Sequence, residues 1–246
     1  MFDAHCHIDL FDNPHEVAYK AEKADIKTIA VTNLPSHFEV GYPHIKNYKR
    51  IRLALGLHPL MASSHKKELA KFKRLLDTTS YIGEIGLDFS RRNINTKQIQ
   101  IDSFEFILNA IKERPRFITI HSRKAEKTVL ELLNKHQTCP VVFHWYNGPL
   151  SLIDDIVKAG HYFSINPAMT LSKSGQKVIN KIAKDRILTE TDGPFVQVAG
   201  KPAEPFDVSN VLKNLAECWN TSVNDVEKQV EANFKKLLLP LKRNSL

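Results

Sequence analysis

Two histidines separated by one residue, His5 and His7, lie in an apolar segment near the start of the chain. In an extended strand, residues two apart point to the same side, so both imidazoles are expected to face one site. Two neutral imidazoles side by side suit a divalent cation. Because the chain contains 11 histidines, a pair at this spacing arises readily by chance and carries little weight alone.

Other side chains of metal-binding type recur at or near the ends of apolar segments. They are Glu84 in IGEIGLD, His121 in ITIHS, His144 in VVFHW and Asp192 in LTETDGP. Each residue alone also fits a structural role, as a hydrogen-bonded core residue or a turn cap. Burying all of these groups uncompensated would cost several kcal/mol per charge, a cost that a bound cation removes. The sequence therefore predicts a metal site formed by His5, His7, Glu84, His121, His144 and Asp192.

Two further polar residues, His58 in LGLHP and Asp88 in GLD, also follow apolar segments. We expect them to hold substrate or to orient groups around the metal site, although a structural role in the strand-to-helix turn is equally open. Glu190 precedes Asp192 by two residues and is expected to support the site from outside the ligand set.

Candidate substrate contacts follow two of the predicted ligands. Arg123 comes after His121, and Trp145 and Tyr146 come after His144. Cationic side chains contact phosphates, and aromatic faces stack on unpaired bases. The competing interpretation is a solvated arginine and aromatic rings packed in the wall of the fold.

The elements that position these residues are short apolar strands separated by segments with helical patterns. The strand candidates are Phe2–His7, Lys27–Thr32, Arg52–Gly56, Tyr81–Gly86, Phe117–His121, Val141–His144, Tyr162–Ile165 and Ile187–Glu190. The clearest helices are predicted over Asn95–Glu113 and Lys124–His136. Eight strand–helix units predict an α/β fold, a (β/α)8 TIM barrel, whose catalytic groups come from the carboxyl ends of the strands. An open doubly wound sheet is the alternative, but the glycine-rich dinucleotide motif is absent after the first strand.

The chain is expected to form a single domain over residues 1–246, because barrels of this kind reach such a length undivided. The longest irregular stretch is predicted from Asp192 to Pro205, where glycine and proline recur. No composition shift or long linker suggests a second domain.

Charge and cysteine content indicate the setting in which the protein works. The formal net charge is +8, from 35 basic and 27 acidic residues, and such a balance favours anionic partners such as nucleic acid. The three cysteines form no CxxC pair, which is typical of a reducing compartment. Without a signal peptide or an apolar run of membrane-spanning length, we expect a cytoplasmic protein that does not bind membranes.

Taken together, the segments resemble the TatD family of metal-dependent deoxyribonucleases within the amidohydrolase-like barrels. The matching motifs are DAHCHID (3–9), GLHP (56–59), GEIGLD (83–88), HSR (121–123), HW (144–145), ETDGP (190–194) and NF (233–234). They occur in the order of the family and span essentially the whole chain. The combination is specific, although each motif alone is not.

The resemblance implies a hydrolase with two divalent cations, Mg²⁺ or Mn²⁺, with Zn²⁺ also seen in the family. His5, His7 and Asp192 would bind one ion, His121 and His144 the other, and Glu84 would bridge both. The implied activity is 3′→5′ exonuclease cleavage of DNA, preferably single-stranded. In the mechanism that we expect, Asp192 or Glu84 accepts the proton of the attacking water, with Asp192 the first choice.

Two positions depart from the family pattern. The segment 199–205 lacks the usual Arg-Asn-x-Pro sequence, and Phe89 stands where a tyrosine is common. Both changes affect expected substrate contacts. The chain is also similar to the TatD-like nucleases of bacterial Qat antiphage cassettes, which implies protein partners in a defence system.

Two other functions are compatible with the same residues. One is an amidohydrolase or small-molecule phosphoesterase, because a fold does not fix its substrate. The other is a non-catalytic nucleic-acid-binding subunit of a defence complex. The complete ligand set argues against a dead enzyme, and the absence of a strand-end lysine argues against a centre bridged by a carboxylated lysine.

Overall fold

Strands and helices alternate along the computed structural model, which describes residues 1–243 and side chains as far as Leu241. The strands are β1 (Phe2–Cys6), β2 (Lys27–Ala30), β3 (Ile51–Leu53), β4 (Leu55–Leu57), β5 (Tyr81–Gly86), β6 (Phe117–His121), β7 (Val142–His144), β8 (Tyr162–Ile165), β9 (Ile187–Thr189), β10 (Gln197–Val198) and β11 (Lys201–Pro202). The helices are α1 (Pro14–Lys23), α2 (Pro35–Ile45), α3 (Ala62–Leu75), α4 (Lys97–Ile111), α5 (Glu126–Lys135), α6 (Ile153–Lys158), α7 (Pro167–Leu171), α8 (Lys173–Lys181), α9 (Val208–Trp219) and α10 (Val223–Arg243). Every predicted strand is present, and the third is divided at Ala54 into β3 and β4.

The strands from β1 to β9 form a closed parallel barrel. β1, β2 and β3 pair in that order, and β4 to β9 pair as a second parallel run. Beyond β9, Asp192 N donates to His5 O at 2.9 Å, and His7 N donates to Gly193 O at 2.8 Å. These bonds join the last strand to the first and confirm the predicted TIM-barrel class.

On the other side of the barrel, a close backbone contact connects the end of β2 to β5. Thr32 N donates to Gly83 O at 3.2 Å, and Glu84 N donates to Thr32 O at 3.1 Å. A Cβ atom at Gly56 would lie 1.6 Å from Thr32 O, so a glycine is required for the contact. The glycine of the GLHP motif therefore helps to fix the backbone of Glu84.

The amino-terminal end of the barrel is covered by the last helix, α10. The Phe234 ring stacks on the Phe2 ring with centroids 3.5 Å apart. Asn233 Nδ2 donates to Lys184 O and Ile187 O, both at 2.8 Å. The Asn-Phe pair thus fastens α10 to the start of β9, and truncating such a buried phenylalanine costs about 3–5 kcal/mol of stability.

The two helices predicted most clearly are present, each slightly shorter than expected: α4 lies within Asn95–Glu113 and α5 lies within Lys124–His136. The segment 192–205 was expected to be irregular throughout, and this is wrong in part, because β10 and β11 pair there as an antiparallel hairpin. Ala199 and Gly200 have φ angles of 51° and 77°, and two positive φ angles are the geometry of a tight hairpin turn.

Over residues 1–243, the structure contains no helix that combines the length and the apolarity needed to cross a membrane.

Candidate metal centre

The predicted metal-binding residues converge at the carboxyl ends of the barrel strands. A cavity of about 470 Å³ opens there, within the usual size range of ligand pockets. Of the predicted ligands, His7, Glu84, His121, His144 and Asp192 line this cavity. His5 lies beneath it, fully buried, with its Nε2 atom 3.3 Å from His7 Nε2. The strand-end pattern therefore locates a single site.

Glu84 lies at the centre of this site, and each of its carboxylate oxygens faces a separate pair of imidazoles. Oε2 lies 3.1 Å from His7 Nε2 and 3.4 Å from His5 Nε2. Oε1 lies 2.7 Å from His121 Nδ1 and 3.1 Å from His144 Nε2. A carboxylate between two sets of nitrogen donors has the arrangement of a bridging ligand.

Asp192 lies next to the first pair of imidazoles. Its Oδ1 atom is 3.7 Å from His5 Nε2 and 3.8 Å from His7 Nε2. The His5 ring also stacks on His144, with centroids 3.9 Å apart, so His5, His144 and Asp192 form a second compact donor group. His144 thus adjoins both halves of the site.

Three of the imidazoles are oriented by a polar group at the ring nitrogen that points away from Glu84. Thr119 Oγ1 lies 2.8 Å from His5 Nδ1, and Asp88 Oδ2 lies 2.9 Å from His121 Nε2. Glu190 Oε1 lies 3.5 Å from His144 Nδ1, close enough for an ion pair, although this nitrogen has no hydrogen-bond partner among the described residues. Metal-binding histidines are commonly held in this way, because the partner fixes the tautomer and leaves the other nitrogen free to bind.

His58 also faces Glu84, but its hydrogen bonds give it a different role. His58 Nδ1 accepts the amide hydrogen of Leu60 at 3.0 Å, so the neutral ring carries its proton on Nε2. His58 Nε2 lies 3.2 Å from Glu84 Oε2, so the proton on this nitrogen faces the carboxylate. A protonated nitrogen has no free lone pair, so His58 presents a hydrogen-bond donor to the cavity rather than a metal ligand.

We expect His58→Ala to bind as many metal ions per chain as the wild type, and His121→Ala to bind fewer. In a neutral His121 ring Asp88 can accept the Nε2–H, which leaves the Nδ1 lone pair for a cation, whereas the His58 lone pair on Nδ1 is taken by the Leu60 amide. Metal content after dialysis against Mn²⁺, measured by mass spectrometry, checks this. Loss of an ion in His58→Ala would contradict the donor role, and circular dichroism would verify that both variants fold.

The buried charges of the site depend on each other. Burial opposes ionisation of Glu84, but the surrounding imidazoles hold the pKa of this carboxyl well below its usual range. Burial also disfavours the charged His144 ring, yet Glu84 and Glu190 raise its pKa well above the ordinary value. Burial and the neighbouring His144 lower the pKa of His5, while burial raises the pKa of Asp192 to about 7.

This donor set fits divalent cations. At the 3.3 Å contact between His5 Nε2 and His7 Nε2, two nitrogens face one another, and a cation would accept both lone pairs. The remaining donors are carboxylates and imidazoles, which Mn²⁺ and Zn²⁺ bind readily. The carboxylate oxygens of Glu84 and Asp192 also suit Mg²⁺.

The sequence groups Asp88 with possible substrate contacts, but its position favours the orienting role. Asp88 is buried, and its oxygens accept hydrogen bonds from Ser90 N, Asn93 Nδ2 and His121. Despite burial, these hydrogen bonds hold the pKa of Asp88 below its usual range. With its oxygens occupied by protein donors, Asp88 positions His121 instead of contacting substrate.

The predicted substrate contacts divide into two groups. Arg123 and Trp145 line the cavity, and Arg123 has no ion pair within residues 1–243. Tyr146 is wrong as a stacking platform, because it is only 1% exposed and packs edge-on against Phe163. Its hydroxyl donates to Pro149 O at 2.8 Å, which fixes it inside the wall.

Several cavity-lining residues were missed by the sequence analysis, among them Asn33, Leu60 and Phe195. Asn33 follows β2, and its Oδ1 atom is buried without a hydrogen-bond partner among the described residues. The rule that located the other strand-end groups could have found it. Leu60 and Phe195 are 52% and 59% exposed, and the Phe195 ring meets His7 edge-on at 5.1 Å. Exposed apolar residues at a mouth have no polar signature in the sequence.

Comparison with known proteins agrees with this architecture. Residues 2–239 match the family described as TatD related DNase. A metal-dependent hydrolase from Methanocaldococcus jannaschii, named as uncharacterized, is 28% identical over 240 residues, covering 94% of both chains. The human protein named deoxyribonuclease TATDN3 is 28% identical over 265 residues, covering 98% of this chain and 96% of the human one.

Solved structures share the fold. A TatD homologue from Escherichia coli superposes with a TM-score of 0.85 at 24% identity, covering 96% of this chain and 97% of the other. An uncharacterized amidohydrolase from Saccharomyces cerevisiae gives 0.77 at 13% identity, covering 96% and 99%. With the family match extending over nearly all of its length, the chain belongs to the TatD related DNase family of metal-dependent hydrolases.

Proposed function

We propose that this protein hydrolyses phosphodiester bonds in single-stranded DNA, removing nucleotides from the 3′ end with the aid of two divalent cations. The observation that carries the proposal is the position of Glu84, with two imidazoles facing each of its oxygens at the floor of an open cavity. The name of the human relative, a deoxyribonuclease, supports DNA as the substrate. The 3′→5′ polarity rests on the family resemblance.

His5, His7 and Asp192 would hold one cation, His121 and His144 the other, and Glu84 would contribute to both. Mg²⁺ or Mn²⁺ is the expected metal, and Zn²⁺ is compatible with the nitrogen donors. When bound, such cations neutralise a phosphodiester and lower the pKa of a water molecule toward neutrality.

The protein's own groups handle the protons and orient the substrate. Asp192 lines the cavity beside the first pair of imidazoles and would accept the proton of the attacking water. His58 lines the cavity, and its Nε2–H can donate a hydrogen bond to a phosphate oxygen. Thr119, Asp88 and Glu190 hold the imidazole rings in their orientations.

The walls of the cavity suit an unpaired nucleic-acid strand. Arg123 offers an unpaired guanidinium at the mouth, where a phosphate can approach it. Trp145 and Phe195 provide aromatic surface, which binds unstacked bases in a way that a base-paired duplex does not allow. Phe89, in contrast, does not line the cavity and has Lys97 Nζ 4.8 Å from its ring.

The proposal is tested with single-stranded DNA labelled separately at each end and incubated with Mg²⁺, Mn²⁺ or EDTA. We expect metal-dependent shortening from the 3′ end and no cleavage with EDTA. Shortening from the 5′ end would overturn the polarity. Cleavage of RNA, amides or small phosphate esters in place of DNA would favour the other hydrolase functions.

DNA binding by the metal-loaded protein with no cleavage of any of these substrates would favour a binding subunit instead. A cytoplasmic location and protein partners from a defence cassette stay predictions.

A further inference from the structure

A second, smaller cavity adjoins the metal centre on one side. Its volume is about 240 Å³, and it shares Trp145 and Asn147 with the main cavity. The loop after β7 forms one wall, and the first turns of α8 form the other, with Ser174 and Lys177. The two cavities therefore meet at the indole of Trp145.

Trp145 is held in an unusual conformation at this junction. Its φ angle is +38°, a region that bulky residues rarely adopt and that carries a conformational cost. The backbone amide of Trp145 donates to the buried Glu190 at 3.0 Å, and Glu190 is itself bound by Ser164 and Asn166. This buried network fixes the partition between the two cavities before any ligand arrives.

The opposite wall of the smaller cavity is also fixed. Gly175 in α8 packs so closely on α7 that a Cβ atom there would lie 2.2 Å from Met169 O. At about 240 Å³ the cavity is below the range of about 300–1,000 Å³ for pockets that enclose a whole small ligand. It is suited to one part of a longer molecule whose other part occupies the main cavity.

Charge selects the direction in which an anionic strand would extend. Among residues 1–243, no carboxylate lines the smaller cavity, and Lys177 there is exposed and has no ion pair. Another cavity, beside Pro194, is lined by Asp12, Glu16 and Glu204, and Lys20 there pairs with Glu16 and Glu204, so its lining keeps a net negative charge. An anionic strand is repelled from that side and attracted toward Lys177.

We propose that the cavity between Trp145 and Lys177 is a subsite for the nucleotide next to the scissile phosphate. Its base lies against Trp145, and its phosphate contacts the Lys177 ammonium. This proposal rests on the proposed function, since the main cavity must hold the scissile phosphate. In this arrangement Lys177 of α8, which lies outside the metal centre, helps to determine which nucleic-acid strand the protein binds.

Binding to the Mn²⁺-loaded protein is measured first, by fluorescence anisotropy of 5′-fluorescein-labelled (dT)8 with phosphorothioate linkages, which are cleaved slowly. We expect Lys177→Ala to weaken binding about tenfold, the effect of losing one hydrogen bond to a charged group. The slope of log affinity against log salt should fall by about 0.7, the value for one phosphate contact on a single strand. Lys177→Arg should retain most of the affinity. Lys173→Ala is the matched control, because Lys173 is exposed on the same helix but does not line the cavity.

Cleavage provides a second measurement, with Mn²⁺ present. We expect Lys177→Ala to lower kcat/KM for (dT)8 about tenfold more than kcat/KM for bis(p-nitrophenyl) phosphate, which is small enough for the main cavity alone. Equal effects of Lys177→Ala and Lys173→Ala on both substrates would overturn the subsite and leave the proposed function standing. A wild-type protein that neither binds nor cleaves (dT)8 would overturn both.

Discussion

Replacing Glu84 with glutamine is expected to abolish hydrolysis and to weaken metal binding severely. The amide keeps the size of the side chain but removes the negative charge that faces His5, His7, His121 and His144. Bound cations contribute several kcal/mol to transition-state stabilisation, so kcat/KM should fall by about 10³-fold or more. Calorimetric titration with Mn²⁺ and the end-labelled DNA assay measure the two effects.

Glu113→Gln is the matched control for this substitution, because Glu113 is exposed and lies outside the cavity. It makes the same change of charge away from the metal centre. Metal affinity and activity should therefore stay at wild-type values. If Glu84→Gln bound Mn²⁺ with wild-type affinity and stoichiometry, the bridging role would be wrong. Thermal unfolding without metal separates loss of binding from loss of fold.

The second large effect is expected at Asp192. In Asp192→Asn the group proposed to accept the proton is lost, and general-base catalysis contributes about 10²–10⁴-fold to rate. Metal affinity should also change its dependence on pH. Burial raises the pKa of Asp192 to about 7, so below that pH a cation must displace a proton from this carboxyl.

The logarithm of the Mn²⁺ affinity is therefore expected to rise with pH up to about 7 in both proteins. The slope for the wild type should be steeper by about one, because its Asp192 releases one more proton for each ion bound. Titrations with Mn²⁺ between pH 6 and 8 give both slopes. Asp12→Asn, an exposed change on the same face of the barrel, is the control. Parallel slopes for wild type and Asp192→Asn would show that Asp192 binds no metal and would leave its proposed role unsupported.

The positions of the strands and of most donors could be predicted from the sequence, for a physical reason. In a parallel barrel the strands are buried and apolar, and their carboxyl ends meet at one mouth. A polar residue that ends an apolar segment, such as His121 or His144, is therefore placed at the site by its position in the chain. Asn33 follows the same rule and could have been included.

Orientation could not be predicted in this way. His58 is a hydrogen-bond donor and not a metal ligand because its Nδ1 atom accepts the amide hydrogen of Leu60. Asp88 does not contact substrate because Ser90 and Asn93 donate to its carboxylate. A tautomer follows from the atoms around a ring, and these come from folded turns. Trp145 and Tyr146 are neighbours in the chain, yet Trp145 lines the metal-centre cavity and Tyr146 is buried in the core.

The amount of net charge follows from the sequence, but its location on the protein follows from the fold. The sequence determined that the protein carries +8, but part of that charge, on Lys27, Arg50 and Arg52, lies around a cavity at the amino-terminal end of the barrel. The sequence by itself determined the barrel and the donor types, because strand burial and residue chemistry are local properties. Only the tertiary structure decided that Glu84 faces two sets of imidazoles and that Trp145 separates two cavities, because both depend on contacts between residues far apart in the chain.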